Sequence, residues 1–185
     1  PNAPLLRTID ALMQCSLLVT AELSVERVLR HIVEEAKCLV GAEVASAFLV
    51  DEARGELYST VNSTGSEIRI PLSVGIAGHV ATTGKPLVLH DTYSDERFDR
   101  SVDMRTGFKT RNMMCMPLLL RNARVIGVVQ LINKTGSGSI GKGAVQVVRG
   151  GATGATSRDP LEPSFTAEDL HFLEVFASQA ASAVA

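Results

Sequence analysis

Apolar residues recur at helical spacing over residues 4 to 22, where Leu5, Leu6, Ile9, Leu12, Met13 and Leu17 form one stripe. A second stripe, Val25, Val28, Leu29, Ile32, Val33, Ala36 and Val40, predicts a helix that Ser24 can cap and Gly41 can end. The period then changes. VASAFLV (44–50) reads as a strand, DEARG as a turn and ELYSTV (56–61) as its hairpin partner. EIRIPL (67–72) alternates and makes a third strand, GIAGHVATTG (75–84) a short helix bracketed by glycines, and PLVLHD (86–91) a fourth strand. Residues 92 to 112, TYSDERFDRSVDMRTGFKTRN, are polar and irregular, and a connection of that length inside a compact domain is usually functional. MMCMPLLL (113–120) and RVIGVVQLIN (124–133) give a fifth and a sixth strand. The stretch from about 135 to 163 is Gly-rich and aperiodic, and reads as an insertion. A last helix begins near Thr166, with Asp169 in capping-box relation to it and Leu170, Leu173, Phe176, Ala177 and Ala180 on its apolar face.

This order implies an α+β domain: a six-stranded, mostly antiparallel sheet flanked by helices. Residues 1–23 are assigned to an N-terminal linker or dimerisation helix and 24–184 to the domain proper. The final stretch FASQAASAVA is still in helical pattern at the last residue, so a piece of a longer protein is expected.

Composition narrows the function. The 185 residues suit one domain, and 45% hydrophobic residues allow a sizeable core. A net charge of -2 gives no electrostatic case for nucleic acid or an anionic membrane, and 4% aromatics without Trp argue against a base-stacking platform. No apolar run has membrane-spanning length and no signal peptide is seen. The three cysteines, Cys15, Cys38 and Cys115, lack any C-x-x-C spacing and suit free thiols in a reducing, cytoplasmic setting; no metal site is expected.

Candidate chemistry begins at LINKTGSGSIGKGAVQVV (131–148). Gly136, Gly141 and Lys142 have P-loop spacing, but Gly143 stands where the motif wants Ser or Thr, and no helix pattern follows to aim amides at a phosphate. Cys115 lies among methionines without a neighbouring His or Asp, which reads as a buried inert thiol. His79 on the short helix can hydrogen-bond a ligand or simply pack. His90 and Asp91, read as adjacent strand residues, point to opposite faces. No catalytic residues are assigned, and a binding module is preferred to an enzyme.

The element order, together with EIRIPLSVGIAGHVATTGKPLVLHD and VDMRTGFKTRNMMCMPLL, resembles the GAF domain, in particular the regulatory GAF domains of cyclic nucleotide phosphodiesterases and related cyclases. The N-K-F-D-E pattern of that family reads here Asn133, Lys134, Phe165 and Asp169, with Leu170 in place of the final Glu. By this resemblance Lys134 and Asp169 pair to tie helix to sheet, a structural role. The Gly-rich tract then becomes a loop inserted between the two halves of the motif.

The resemblance implies a ligand, cAMP or cGMP, and no other cofactor. Ile76, Ala77 and Gly78 would offer backbone amides to the cyclic phosphate, with Gly75 and Gly78 permitting close approach. Phe98, Asp99, Asp103, Thr106 and Thr110 would form the lid, although Asp99 stands where relatives often have an aromatic. Ser46, Asn62, Ser63 and Gln130 would face the base. Some guanine-binding relatives carry acidic groups at positions like Ser63 and Gln130; an amide offering donor and acceptor together suits adenine, so cAMP is favoured over cGMP. The terminal helices imply a homodimer, and the parent chain is expected to carry an adjacent GAF domain and a phosphodiesterase catalytic domain. Three readings stay open: an allosteric cyclic nucleotide sensor, of a phosphodiesterase or an adenylyl cyclase; a degenerate GAF domain serving only dimerisation; and a small-molecule enzyme or photosensor using Cys115.

Overall fold

The structure, a computed structural model, describes residues 25–61, 67–136 and 163–184, together with Met13. The predicted first helix, Cys15, the Ser24 cap, Asn62, Ser63 and most of the Gly-rich tract lie outside the described residues. The elements run α1 Val25–Val40, β1 Ala42–Asp51, β2 Glu56–Val61, β3 Ile68–Pro71, α2 Gly75–Thr83 and β4 Leu87–Leu89. A 3-10 turn follows at Thr92–Ser94, then α3 Ser101–Thr106, β5 Met113–Leu119, β6 Val125–Lys134 and α4 Ala167–Val184.

All six strands join one antiparallel sheet in the order β3-β2-β1-β6-β5-β4. The long central pair β1/β6 forms because both strands carry near-continuous apolar runs and are covered on both faces. On one face, α1 and α4 pack side by side over Ala45, Ala47, Met114, Met116, Val129 and Leu131. On the other, α2 lays Ile76, Ala77, Val80 and Ala81 over Phe48, Met113, Cys115 and Val128. Two separate apolar layers therefore sandwich the sheet.

The polar stretch 92–112 departs from its sequence reading as a featureless connection. Asp91 accepts from the Tyr93 amide at 3.1 Å and starts the 3-10 turn. Asp99 accepts from the Ser101 amide at 2.9 Å, and Gly107 at φ 71° closes α3 behind it. A six-residue polar helix has too few turns to show a period. The strand β4 also ends earlier than expected, at Leu89, so His90 and Asp91 are not strand neighbours: Asp91 caps, and His90 Nδ1 lies 2.5 Å from Ser164 Oγ.

The two halves of the N-K-F-D pattern meet where α4 crosses the end of β6. Lys134 Nζ is 2.6 Å from Asp169 Oδ1 and donates to the Val40 carbonyl at 2.7 Å. Phe165 is buried beneath the ammonium, with its ring centroid 6.0 Å away. Asp169 also accepts from the Thr166 amide at 2.8 Å while its own amide donates to Thr166 Oγ1 at 3.2 Å, a reciprocal capping box. Asn133, buried at φ 57°, donates to Glu43 Oε2 and the Lys109 carbonyl and accepts from the Arg111 amide. These bonds fix the far end of the 92–112 stretch to the sheet.

Candidate functional site

The floor of the site is set by sheet register. Ser46 pairs with Gln130, and Gln130 with Cys115, so the three residues form one row across β1, β6 and β5. The alternation that points Phe48, Val128 and Met113 toward α2 points this row the same way. Ser46 and Gln130 are each 8% exposed. Gln130 Nε2 donates to the Met113 sulfur at 3.5 Å. Among the described residues the Ser46 hydroxyl has no hydrogen-bond partner. Cys115 is fully buried, and burial pushes its thiol up to about 12, so it stays protonated at neutral pH. A nucleophilic thiol requires the opposite environment.

Helix α2 covers this row. Its nine residues start at Gly75, which has φ 72°, and no side chain caps the first turn. Ile76, Ala77 and Gly78 are buried toward the sheet and the β3 end. Gly78 was expected to let a ligand approach; its surroundings give another reason for the glycine. A Cβ there would lie 2.4 Å from the Leu72 carbonyl oxygen, so α2 can pack against the chain leaving β3 only without a side chain.

The lid residues are occupied with one another. Asp103, 5% exposed, accepts from the Thr110 amide at 2.7 Å, from Thr110 Oγ1 at 2.8 Å and from Tyr93 Oη at 2.9 Å. Thr92 Oγ1 donates to the Thr110 carbonyl. Thr106 is exposed, bonds back to Val102 O and accepts from the Phe108 amide. Asp99 is exposed and spends both oxygens on Ser101. Phe98 packs on the sheet-side apolar layer and meets Tyr93 with ring centroids 5.5 Å apart. Tyr93 was not singled out from the sequence. The available signal was its being one of two tyrosines in the chain, set in an otherwise polar stretch.

A cavity of about 620 Å³ opens between the solvent side of α2 and residues 96–99, with Gly75, His79, Thr82, Arg97, Phe98 and Asp99 on its walls. Of the ten described residues assigned to the ligand, only Phe98 and Asp99 line it; Ser46 and Gln130 lie on the opposite side of α2, under the helix. Across the mouth, Arg97 donates to His79 Nε2 at 2.8 Å and grips Asp95 through two nitrogens at 2.9 and 2.6 Å. A guanidinium can only donate, so this imidazole nitrogen accepts. The Arg97 bonds hold the Asp95 carboxyl down at about 2. Among the described residues no three His, Cys, Asp or Glu side chains come together as a metal site, and no helix is long and apolar enough to cross a membrane.

Comparison with known proteins gives these elements a family. The GAF domain profile matches residues 24–184. A probable 3',5'-cyclic phosphodiesterase of Caenorhabditis elegans is 42% identical over 125 residues, 60% of this chain and 17% of that protein. A dual 3',5'-cyclic-AMP and -GMP phosphodiesterase of Drosophila melanogaster is 44% identical over 79 residues, 43% of this chain and 5% of that protein. A cGMP-specific 3',5'-cyclic phosphodiesterase of Drosophila erecta is 38% identical over 95 residues, 51% of this chain and 8% of that protein. The chain thus spans less than a fifth of each of these relatives. Among solved structures, the GAF domain of a Coxiella burnetii phosphoenolpyruvate-protein phosphotransferase superposes with TM-score 0.71 at 17% identity, covering 97% of this chain and 93% of that one. The corresponding Acinetobacter domain gives 0.68 at 17% identity over 96% and 92%. The matched profile, the strand order and the helices on both faces agree: this chain belongs to the GAF domain family.

Proposed function

We propose that this GAF domain is an allosteric sensor that binds a 3',5'-cyclic nucleotide, cAMP in preference to cGMP, within a cytoplasmic, homodimeric cyclic nucleotide phosphodiesterase. Its role in that chain is regulatory and not catalytic. The observation that carries the reading is the Ser46–Gln130 pair. Two polar side chains lie more than nine-tenths buried on the sheet face, with a sulfur as the best-defined partner of one and no partner for the other among the described residues. Burying polar groups is costly unless they are hydrogen-bonded, and sulfur is a weak acceptor. A base edge supplies the missing nitrogen and oxygen partners. A carboxamide offers a donor and an acceptor together, which matches adenine N6–H and N1; guanine's N1–H and 2-amino donors call for a carboxylate. The uncapped start of α2 supplies orphan amides for a singly charged phosphate.

Relatives are named for both nucleotides, so their names do not choose between them. Calorimetric titration with cAMP and then cGMP chooses. Tighter cAMP binding is expected, with Gln130→Glu moving the preference toward cGMP. Preference for cGMP by the native chain overturns the selectivity argument and keeps the sensor. No heat with either ligand, in protein free of carried-over nucleotide, overturns the sensor. A second reading, a degenerate domain serving dimerisation, is favoured by one observation: Asp99, Asp103, Thr106 and Thr110 all have partners inside the lid itself. Allostery in the first reading requires the ligand to bind two states of the protein with different affinity.

A further inference from the structure

We propose that Tyr93, Asp103 and Thr110 form a strut that positions the α3 lid, and that Asp103 and Thr110 act on a ligand through this strut and not by touching it. The effect on ligand rests on the cyclic nucleotide reading above; the strut itself does not.

The case is an accounting of hydrogen-bonding capacity. Thr110 has three polar groups. Its amide and its hydroxyl hydrogen both go to Asp103, and its carbonyl takes the Thr92 hydroxyl. Asp103 is buried and takes three donors, so most of the acceptor sites on its carboxylate are filled by its own chain. Thr110 has no hydrogen left to donate and Asp103 keeps about one free acceptor site, so a ligand that takes more than this must break one of these charge-assisted bonds, which are the strong kind. The third donor is the Tyr93 hydroxyl at 2.9 Å, whose own ionisation is disfavoured chiefly by that bond to Asp103.

Tyr93 couples the strut to the cavity. Its ring packs on Phe98, which lines the cavity and joins the sheet-side apolar layer. The Arg100 guanidinium sits 4.9 Å above the same ring and donates to the Tyr93 carbonyl at 2.6 Å. The Thr92 amide donates to the Arg111 carbonyl at 2.9 Å. The two ends of the 92–112 stretch are therefore stitched together below α3, and the strut crosses from one end to the helix. Removing the hydroxyl alone leaves the ring, its Phe98 contact and its Arg100 contact in place.

The test uses Tyr93→Phe, Asp103→Asn and the double variant of the chain, titrated with cAMP and with cGMP, with dissociation followed by stopped flow. Amide hydrogen exchange over residues 101–112 is measured without nucleotide. A strut predicts that Tyr93→Phe weakens both nucleotides about tenfold, the worth of one buried hydrogen bond, and that Asp103→Asn, which disturbs three, weakens both at least as much. The loss falls on dissociation, the double variant is no worse than Asp103→Asn alone, and exchange in α3 quickens in Tyr93→Phe. Thr110→Ser, which keeps the hydroxyl, retains native affinity, whereas Thr110→Val does not. A change in the cAMP to cGMP ratio in Asp103→Asn overturns the proposal, because Asp103 then touches the ligand. Unchanged exchange in Tyr93→Phe also overturns it. If the native chain binds neither nucleotide, the ligand reading fails on its own and the exchange measurement still decides the strut.

Discussion

Lys134 and Asp169 are thirty-five positions apart in sequence and share one buried contact, 7% and 0% exposed at the side chain. The ammonium makes its hydrogen bonds with one carboxylate and one backbone carbonyl. Removing the carboxylate leaves a cation in a dry site with a single carbonyl, and that is where the energetic weight lies. A buried pair contributes little net stability over an apolar replacement, but half of one is strongly destabilising. Asp169→Ala is therefore expected to lower unfolding stability by about 3–5 kcal/mol, more than the ~1 kcal/mol of a lost helix cap. Urea unfolding measures it. A loss near 1 kcal/mol would mean that Asp169 acts as a cap and that the Lys134 contact adds nothing. Leu170, where the family pattern has Glu, is half-buried against the α1/α4 layer, so this chain replaces a charge with packing at that point.

At the scale of elements, what was legible followed length and period. The ten-residue strands β1 and β6 and the sixteen-residue α1 carry enough apolar positions to declare themselves. The six-residue α3 does not, because its start is an Asx bond from Asp99 and its end a left-handed glycine, and neither has a period. The site divides the same way. Ser46 and Gln130 share a row because strand alternation and register put them there, and alternation is readable from sequence. Which lid side chains face inward depends on hydrogen bonds between residues far apart in sequence, such as Thr92 and Thr110, eighteen positions apart, and sequence pattern carries no trace of those. The latch between α2 and the loop at 95–99 is of this second kind. Asp95 is held at about 2, below its ordinary 3.8, first by the Arg97 side-chain bonds. A depressed carboxylate contributes stability that is fully present above its unfolded value and is lost as pH falls through the folded one. The stability difference between the native chain and Asp95→Asn is thus expected to be flat above about pH 4 and to vanish toward pH 2. Denaturant melts of both proteins across that range check it, and a difference that persists at pH 2 would remove Arg97 as the cause.

At the scale of the whole molecule, the question is what the Gly-rich tract costs the fold it interrupts. Its flanks are already together. Pro163 lies against Gly136, where an added Cβ would meet the proline ring at 3.3 Å. Asn112 bridges both flanks, donating to the Pro163 carbonyl at 3.1 Å and accepting from the Lys134 amide at 2.9 Å. The described flanks therefore meet across residues 137–162, and among the described residues the cavity walls come from the stretch between Leu72 and Asp99. Loop closure costs entropy that grows only as the logarithm of length, so replacing the tract with a three-residue turn gains about 2 kcal/mol at most. For a chain of this size that is a rise in Tm of several degrees. The expected outcome for a variant with 137–162 replaced by Gly-Ser-Gly is an equal or higher Tm and unaltered nucleotide titration. A fall in Tm would show that the tract packs on the domain and contributes more than its closure costs. Unchanged Tm with altered binding would place the tract over the site, and the P-loop-like spacing at Gly136, Gly141 and Lys142 would then need a role of its own.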